Sequence, residues 1–133
     1  VTELRRMQAA AAFQDQLGQL NQGDDVQVLA TQIKEVDGDT LRMLTDQFRQ
    51  RFPSGVAVLG SVSQDGRPII VAAVTEDLVK RNINAVELVK FVSSFLGGGG
   101  GGRPTLAQAG GKDASRKQEA LRQVRGWVAE KLV

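Results

Sequence analysis

The residues best suited to chemistry in this chain are six consecutive glycines, Gly97 to Gly102, and the cations that follow them. The stretch GGGGGGRPTLAQAGGKDASRK carries Arg103, Lys112, Arg116 and Lys117, with a second glycine pair at Gly110–Gly111. Glycine has no side chain to pack and is entropically expensive to order, but it lets a partner's backbone come close. Bare N–H groups contact anions, and glycines before a helix N-terminus form an anion cradle. Bare backbone beside these cations therefore describes a phosphate-contacting surface. Polyglycine is ordinarily a slack linker. Here the run holds no Ser, Thr, Glu or Lys, and strongly patterned segments stand on both sides. It is not a P-loop, because Lys112 is followed by Asp113. Nor does it fit the dinucleotide fingerprint, which needs a preceding strand and a distant acid.

The rest of the composition removes other chemistries. The chain has neither cysteine nor histidine, so there is no disulfide framework and no thiolate nucleophile. The commonest general base and the commonest transition-metal ligand are missing too. The acids Asp24, Asp25, Asp37, Asp39, Glu76 and Asp77 fall in turns or helix starts, where carboxylates are expected without any metal. The net charge of +2 hides an asymmetry: Val1–Val79 carries 7 Lys/Arg against 11 Asp/Glu, and Lys80–Val133 carries 10 against 4. A basic half that contains the glycine run points to a polyanionic partner. No apolar run of about 18 residues exists to span a membrane, and no signal peptide is visible. A cytoplasmic setting is expected.

Periodicity supplies the elements that position the glycines. Residues 1–22 read as an alanine-rich helix with drifting apolar stripes, Leu4/Met7/Ala11 and Ala10/Phe13/Leu17/Leu20. It starts without a methionine and already in helical register, as expected of a piece of a longer polypeptide. It is read as the end of a helical arm that links to an upstream domain or dimerises. Residues 23–133 read as one globular unit. Val26 to Val36 is a strand, and Asp39 caps a helix with the stripe Leu41, Leu44, Phe48 and Phe52. Val56–Ser63 and Pro68–Val74 flank the Asp-Gly turn of a hairpin, the second strand being apolar enough for burial on both faces. A short helix and turn, "TEDLVKRNIN", is followed by a broad-faced helix over "NAVELVKFVSSFL". After the glycines, a short strand is expected near Leu106–Ala109. A last helix starts near Ala114 with Asp113 as N-cap and Leu121, Val124, Val128 and Leu132 as its buried stripe. Phe95 and Trp127 occupy or border apolar stripes and are assigned to the core. The fold expected is a mixed α/β domain, a small mixed sheet covered by helices and preceded by the helical arm.

Phe95 to Asp113, "FLGGGGGGRPTLAQAGGKD", together with the following "ALRQVRGWV", resembles the C-terminal domain signature of the alanyl-tRNA synthetase family. The resemblance extends over the whole chain. It implies kinship with a domain associated with DHH-type phosphoesterases, in which a related glycine loop ends in histidine and touches substrate phosphates. Here Arg103 stands in that place and the DHH motifs are absent, so no catalytic residue is assigned. What the resemblance implies instead is a tRNA-binding module that grips the elbow of the L-shaped tRNA, serving separate aminoacylation and editing domains of the same chain. Gly98, Gly99, Gly100 and Gly101 would then contact RNA by backbone, with Arg103, Lys112, Arg116 and Lys117 meeting phosphates. Lys112 and Arg116 stand at or before the start of the last helix, where positive charge opposes the helix dipole unless a polyanion is bound. No cofactor is expected in this segment; the full-length synthetase is expected to use ATP, magnesium and zinc elsewhere. The alternative is an oligomerisation module, a homodimer formed through residues 1–22. A phosphoesterase remnant is disfavoured by the missing histidine.

Overall fold

In the computed structural model the described residues are Met7, Gln8, Ala11, Phe13, Asp15, 27–33, 38–52, 54–62, 66–81, 83–112 and 117–132. The five at the start are all helical and are called α1. The expected boundary between residues 22 and 23 lies outside the described residues. The elements that follow are β1 (Gln27–Gln32), α2 (Gly38–Arg51), β2 (Gly55–Val62), β3 (Pro68–Val74), α3 (Glu76–Val79), α4 (Ala85–Ser94), β4 (Gly100–Arg103), β5 (Leu106–Gly110) and α5 (Lys117–Leu132). The mixed α/β fold expected from the sequence is the fold observed.

One five-stranded sheet runs in the order β1-β2-β3-β5-β4. β1 pairs parallel with β2, and the remaining pairs are antiparallel. Parallel neighbours need a crossover, and α2 supplies it. Its stripe Leu41, Leu44 and Phe48 recurs at helical spacing, so all three turn to one face and are fully buried. Phe52 follows just beyond the helix, its ring 5.2 Å from that of Phe48. Asp39 does not cap this helix from outside, as expected; it lies within the first turn and pairs with Arg42. β2 and β3 are the central strands, and alternation divides their side chains between two cores. Ala57, Leu59 and Val71 join α2, while Val56, Val58, Ile70, Ala72 and Val74 join α4 and α5. The result is three layers, with helices on both faces of the sheet.

Phe13 is fully buried in the α2-side core, beside Leu29, Ile33 and Phe48. At that residue α1 packs against the globular unit. Met7, Gln8, Ala11 and Asp15 are exposed. On the opposite face Phe95 and Trp127 are only partly buried, packed at the rim of the core with Phe91 between them. The core assignment therefore holds in part: both rings pack against the core without being enclosed by it. Leu121, Val124 and Val128 form the buried stripe of α5 as expected.

Candidate nucleic-acid interface

The glycine run leaves the end of α4 and becomes the outer edge of the sheet. Asn84 caps the start of α4, its side chain accepting from the Val86 N–H at 2.8 Å. At the other end Gly97 adopts φ +68, which glycine tolerates and a side chain disfavours, and the chain turns off the helix. The N–H of Gly98 then donates to the Ser93 carbonyl at 3.2 Å. Gly100–Arg103 pairs with Leu106–Gly110 across the two-residue turn Pro104–Thr105. Val74 N–H donates to Thr105 O and Ala85 N–H to Pro104 O, so the turn is tied to β3 and to the start of α4. A run read from the sequence as bare backbone without assigned secondary structure is thus an edge strand. Polyglycine carries no period-two signal, and β5 imposes the pairing.

The six glycines are not equivalent. A Cβ on Gly98 would stand 2.0 Å from Gly110 O, and one on Gly100 would stand 2.2 Å from Gln108 O and 2.5 Å from Ala109 Cα. A Cβ on Gly99 or Gly101 would meet nothing within 4 Å. Gly98 and Gly100 are therefore glycine because their own domain presses against them. Gly99 and Gly101 have no such reason, and all four positions of β4 are exposed.

The second glycine pair has a packing role inside the domain. Gly110 closes β5 beneath Gly98, and a Cβ on Gly111 would stand 2.5 Å from Leu96 Cβ. Lys112 N–H donates to Leu96 O at 2.9 Å, which fastens this segment just beyond the end of α4. Arg103, at the end of β4, and Lys112 are both exposed. Arg116 lies outside the described residues, and so does the expected Asp113 cap; Lys117 is placed as the first residue of α5 without a described side chain. The structure thus brings Gly98–Gly101, Arg103 and Lys112 to one edge.

One nearby group was missed. Arg42, on α2, donates from Nη1 to Gln108 Oε1 at 2.8 Å and pairs with Asp39. Gln108 is the middle residue of "AQA" and the register partner of Gly101. No sequence signal joins positions 66 residues apart, so only the sheet register could reveal it.

A separate cleft beside the β4–β5 turn is lined by Arg49, Val74, Thr75, Glu76, Asp77 and Thr105. Burial pushes the Asp77 carboxyl upward, but hydrogen bonds from the Ser54 and Thr75 side chains and from the Asp77 and Leu78 N–H groups outweigh it. The net shift is below the ordinary carboxylate value. Those bonds make Asp77 a charged brace at the start of α3, not a proton donor. Among the described residues no three carboxylates converge as a metal site.

A glycine edge strand on a three-layer mixed sheet defines a known class of domain. The chain belongs to the DHHA1 domain family, whose model matches residues 25–130. Within that class it is similar to alanine–tRNA ligase of Pelotomaculum thermopropionicum, 51% identical over 108 residues, 81% of this chain and 12% of that protein. The chain thus spans about an eighth of the length of that relative. It is also similar to the C-Ala domain of Aquifex aeolicus alanyl-tRNA synthetase, with TM-score 0.72 and 31% identity, covering 84% of this chain and 98% of that one. Thermus thermophilus RecJ, solved in complex with magnesium, shares the fold alone: TM-score 0.63 at 15% identity over 96% of this chain and 18% of RecJ. The family resemblance drawn from the glycine signature holds.

Proposed function

We propose that this chain is a non-catalytic tRNA-binding domain of an alanyl-tRNA synthetase. It grips the tRNA elbow so that aminoacylation and editing domains elsewhere in the same polypeptide act on one bound tRNA. It acts in the cytoplasm, without a cofactor of its own. The observation that carries the reading is the exposed glycine edge strand with Arg103 and Lys112 beside it. The tRNA elbow is tightly folded backbone with exposed bases, a shape met by close backbone contact and by cations on phosphates. A strand without side chains can lie against a base pair or a ribose, where an ordinary strand would be held off. No helix among the described residues is long and apolar enough to cross a membrane.

The test is direct binding of a tRNA transcript by this chain across a salt series. Two phosphate contacts, from Arg103 and Lys112, give a loss of about sevenfold to twelvefold between roughly 50 and 200 mM salt. Arg103→Ala and Lys112→Glu each weaken binding without changing the melting temperature. A footprint falls on the elbow and leaves the acceptor stem open. The reading is lost if the chain binds tRNA with no salt dependence and a synthetase lacking this segment holds tRNA as tightly as the intact enzyme.

A second reading, self-association through α1, is favoured by one observation: Met7 is 64% exposed on a helix whose Phe13 is anchored in the core. Deleting residues 1–22 would remove Phe13 from that core, so a point change is the cleaner probe. If α1 mediates a dimer, Met7→Asp converts it to monomer in sedimentation; a monomer before and after the change ends this reading for the isolated chain.

A further inference from the structure

The open side of the glycine strand faces α2. Gly101 lies opposite Gln108 in an antiparallel pair, and residues directly opposite each other point to the same face of a sheet. The Gln108 side chain lies against α2: its Nε2 is 3.1 Å from where a Cβ on Gly38 would stand, and its Oε1 accepts from Arg42. The other face of the hairpin is filled. Ala107 and Ala109 are buried in the core formed with α4 and α5, and the inward positions Gly100 and Gly102 press on them. Among the described residues, Arg42 is a cation hydrogen-bonded to β5 on the open side, and it reaches the hairpin through Gln108.

An exposed pair one turn apart on a helix, such as Asp39–Arg42, is worth little by itself. The link to Gln108 adds something else: it fixes the guanidinium plane at two edges. A guanidinium carries five N–H donors in a rigid fork. The Arg42 side chain is 44% exposed, so the fork is presented to solvent one side chain away from the bare backbone of Gly101. A fixed guanidinium beside open backbone is an arrangement that accepts a phosphate while the backbone meets the sugar or base.

We propose that Arg42 is a phosphate contact of the RNA surface, with Gln108 as its positioning residue, so that cations flank β4 on the α2 side as well as at Arg103 and Lys112. The inference rests on the reading of β4 as the RNA-contacting edge. It places one contact in the half of the chain whose charge is net negative, because the fold carries Arg42 to the glycine edge.

The experiment measures tRNA-transcript affinity across the salt series for the whole chain and for Arg42→Gln, Arg42→Lys, Gln108→Ala and Asp39→Asn, each with its melting temperature. Arg42→Gln weakens binding about tenfold and lowers the slope of log affinity against log salt by roughly one. Arg42→Lys restores the slope but not all the affinity, since a point charge replaces the fork. Gln108→Ala weakens binding and leaves the slope, since the charge remains but its orientation is lost. Asp39→Asn tightens binding, because it removes a carboxylate that competes with phosphate for the guanidinium while its amide oxygen still accepts at that edge. If Arg42→Gln binds with unchanged affinity and slope while Arg103→Ala or Lys112→Glu weakens binding, Arg42 is structural only and the RNA reading of β4 stands. If the Arg103, Lys112 and Arg42 variants all bind as the original chain does, or the original chain does not bind, the reading of β4 falls and this inference with it.

Discussion

Gly98→Ala lowers the stability of the domain by about 3 kcal/mol or more, although it adds one methyl group at an exposed position. The new Cβ has nowhere to go: it would stand 2.0 Å from Gly110 O and 2.5 Å from Gly111 Cα. Both are backbone atoms, which have no rotamer to escape into. The strand must lift, and it then loses the bonds that hold it at this point, Gly98 N–H to Ser93 O and Gly110 N–H to Gly99 O. Separation here also loosens the seat of Leu96, which is fully buried beneath Gly111. Against a total stability of about 5–15 kcal/mol the loss is large, and a thermal melt reads it as a fall of about 10 °C or more. Gly99→Ala is the control. Its Cβ meets nothing within 4 Å and its φ lies outside the range that side chains avoid. It therefore leaves stability unchanged or raises it by up to about 1 kcal/mol, through a stiffer unfolded chain. Equal melts for the two variants would mean that Gly98 does not press on Gly110 as described.

That contrast between neighbours marks the limit of what the sequence could convey. The hairpin β2–β3 was legible because Asp-Gly is a specific turn and its flanks are strongly apolar. α4 was legible from its broad apolar face, and Asn84 then closes its start. β4 was not. Glycine has neither propensity nor side-chain period, so nothing distinguishes Gly98 from Gly99 until a register with β5 exists. The same register explains the packing of Gly110–Gly111 against Gly98 and Leu96, which the sequence did not show. Charge position was legible only locally. Arg103 was visible because it follows the glycines in the chain, and Arg42 was hidden because Gln108 joins it to them across the sheet. Phe13 shows the limit in the other direction. Its stripe marks a helix, but whether that helix stands free or packs on the sheet depends on Ile33, Leu41 and Phe48 closing around it.

Gly101→Leu separates fold from function more sharply than any change of charge. The position opens onto empty space, so a leucine there has room, and a β-strand accepts leucine at least as well as glycine. The melting temperature stays within about 2 °C of the original. What changes is the distance of closest approach. A leucine on the open side keeps any partner surface one side chain away from the backbone, which breaks hydrogen bonds that need about 3 Å and stacking contacts that need about 3.5–4 Å. If the tRNA elbow lies on this strand, affinity falls about a hundredfold, equivalent to roughly 2.7 kcal/mol, and Gly101→Ala falls between the two. The salt slope is nearly unaltered, because no cation has been removed. Arg103→Ala gives the opposite pattern, a smaller loss of affinity with a lower slope. Two variants two residues apart in sequence thus report separately on shape and on charge. Unchanged affinity in Gly101→Leu would show that RNA does not approach the open side of β4, whatever the cations do, and the glycines there would need another partner to explain them.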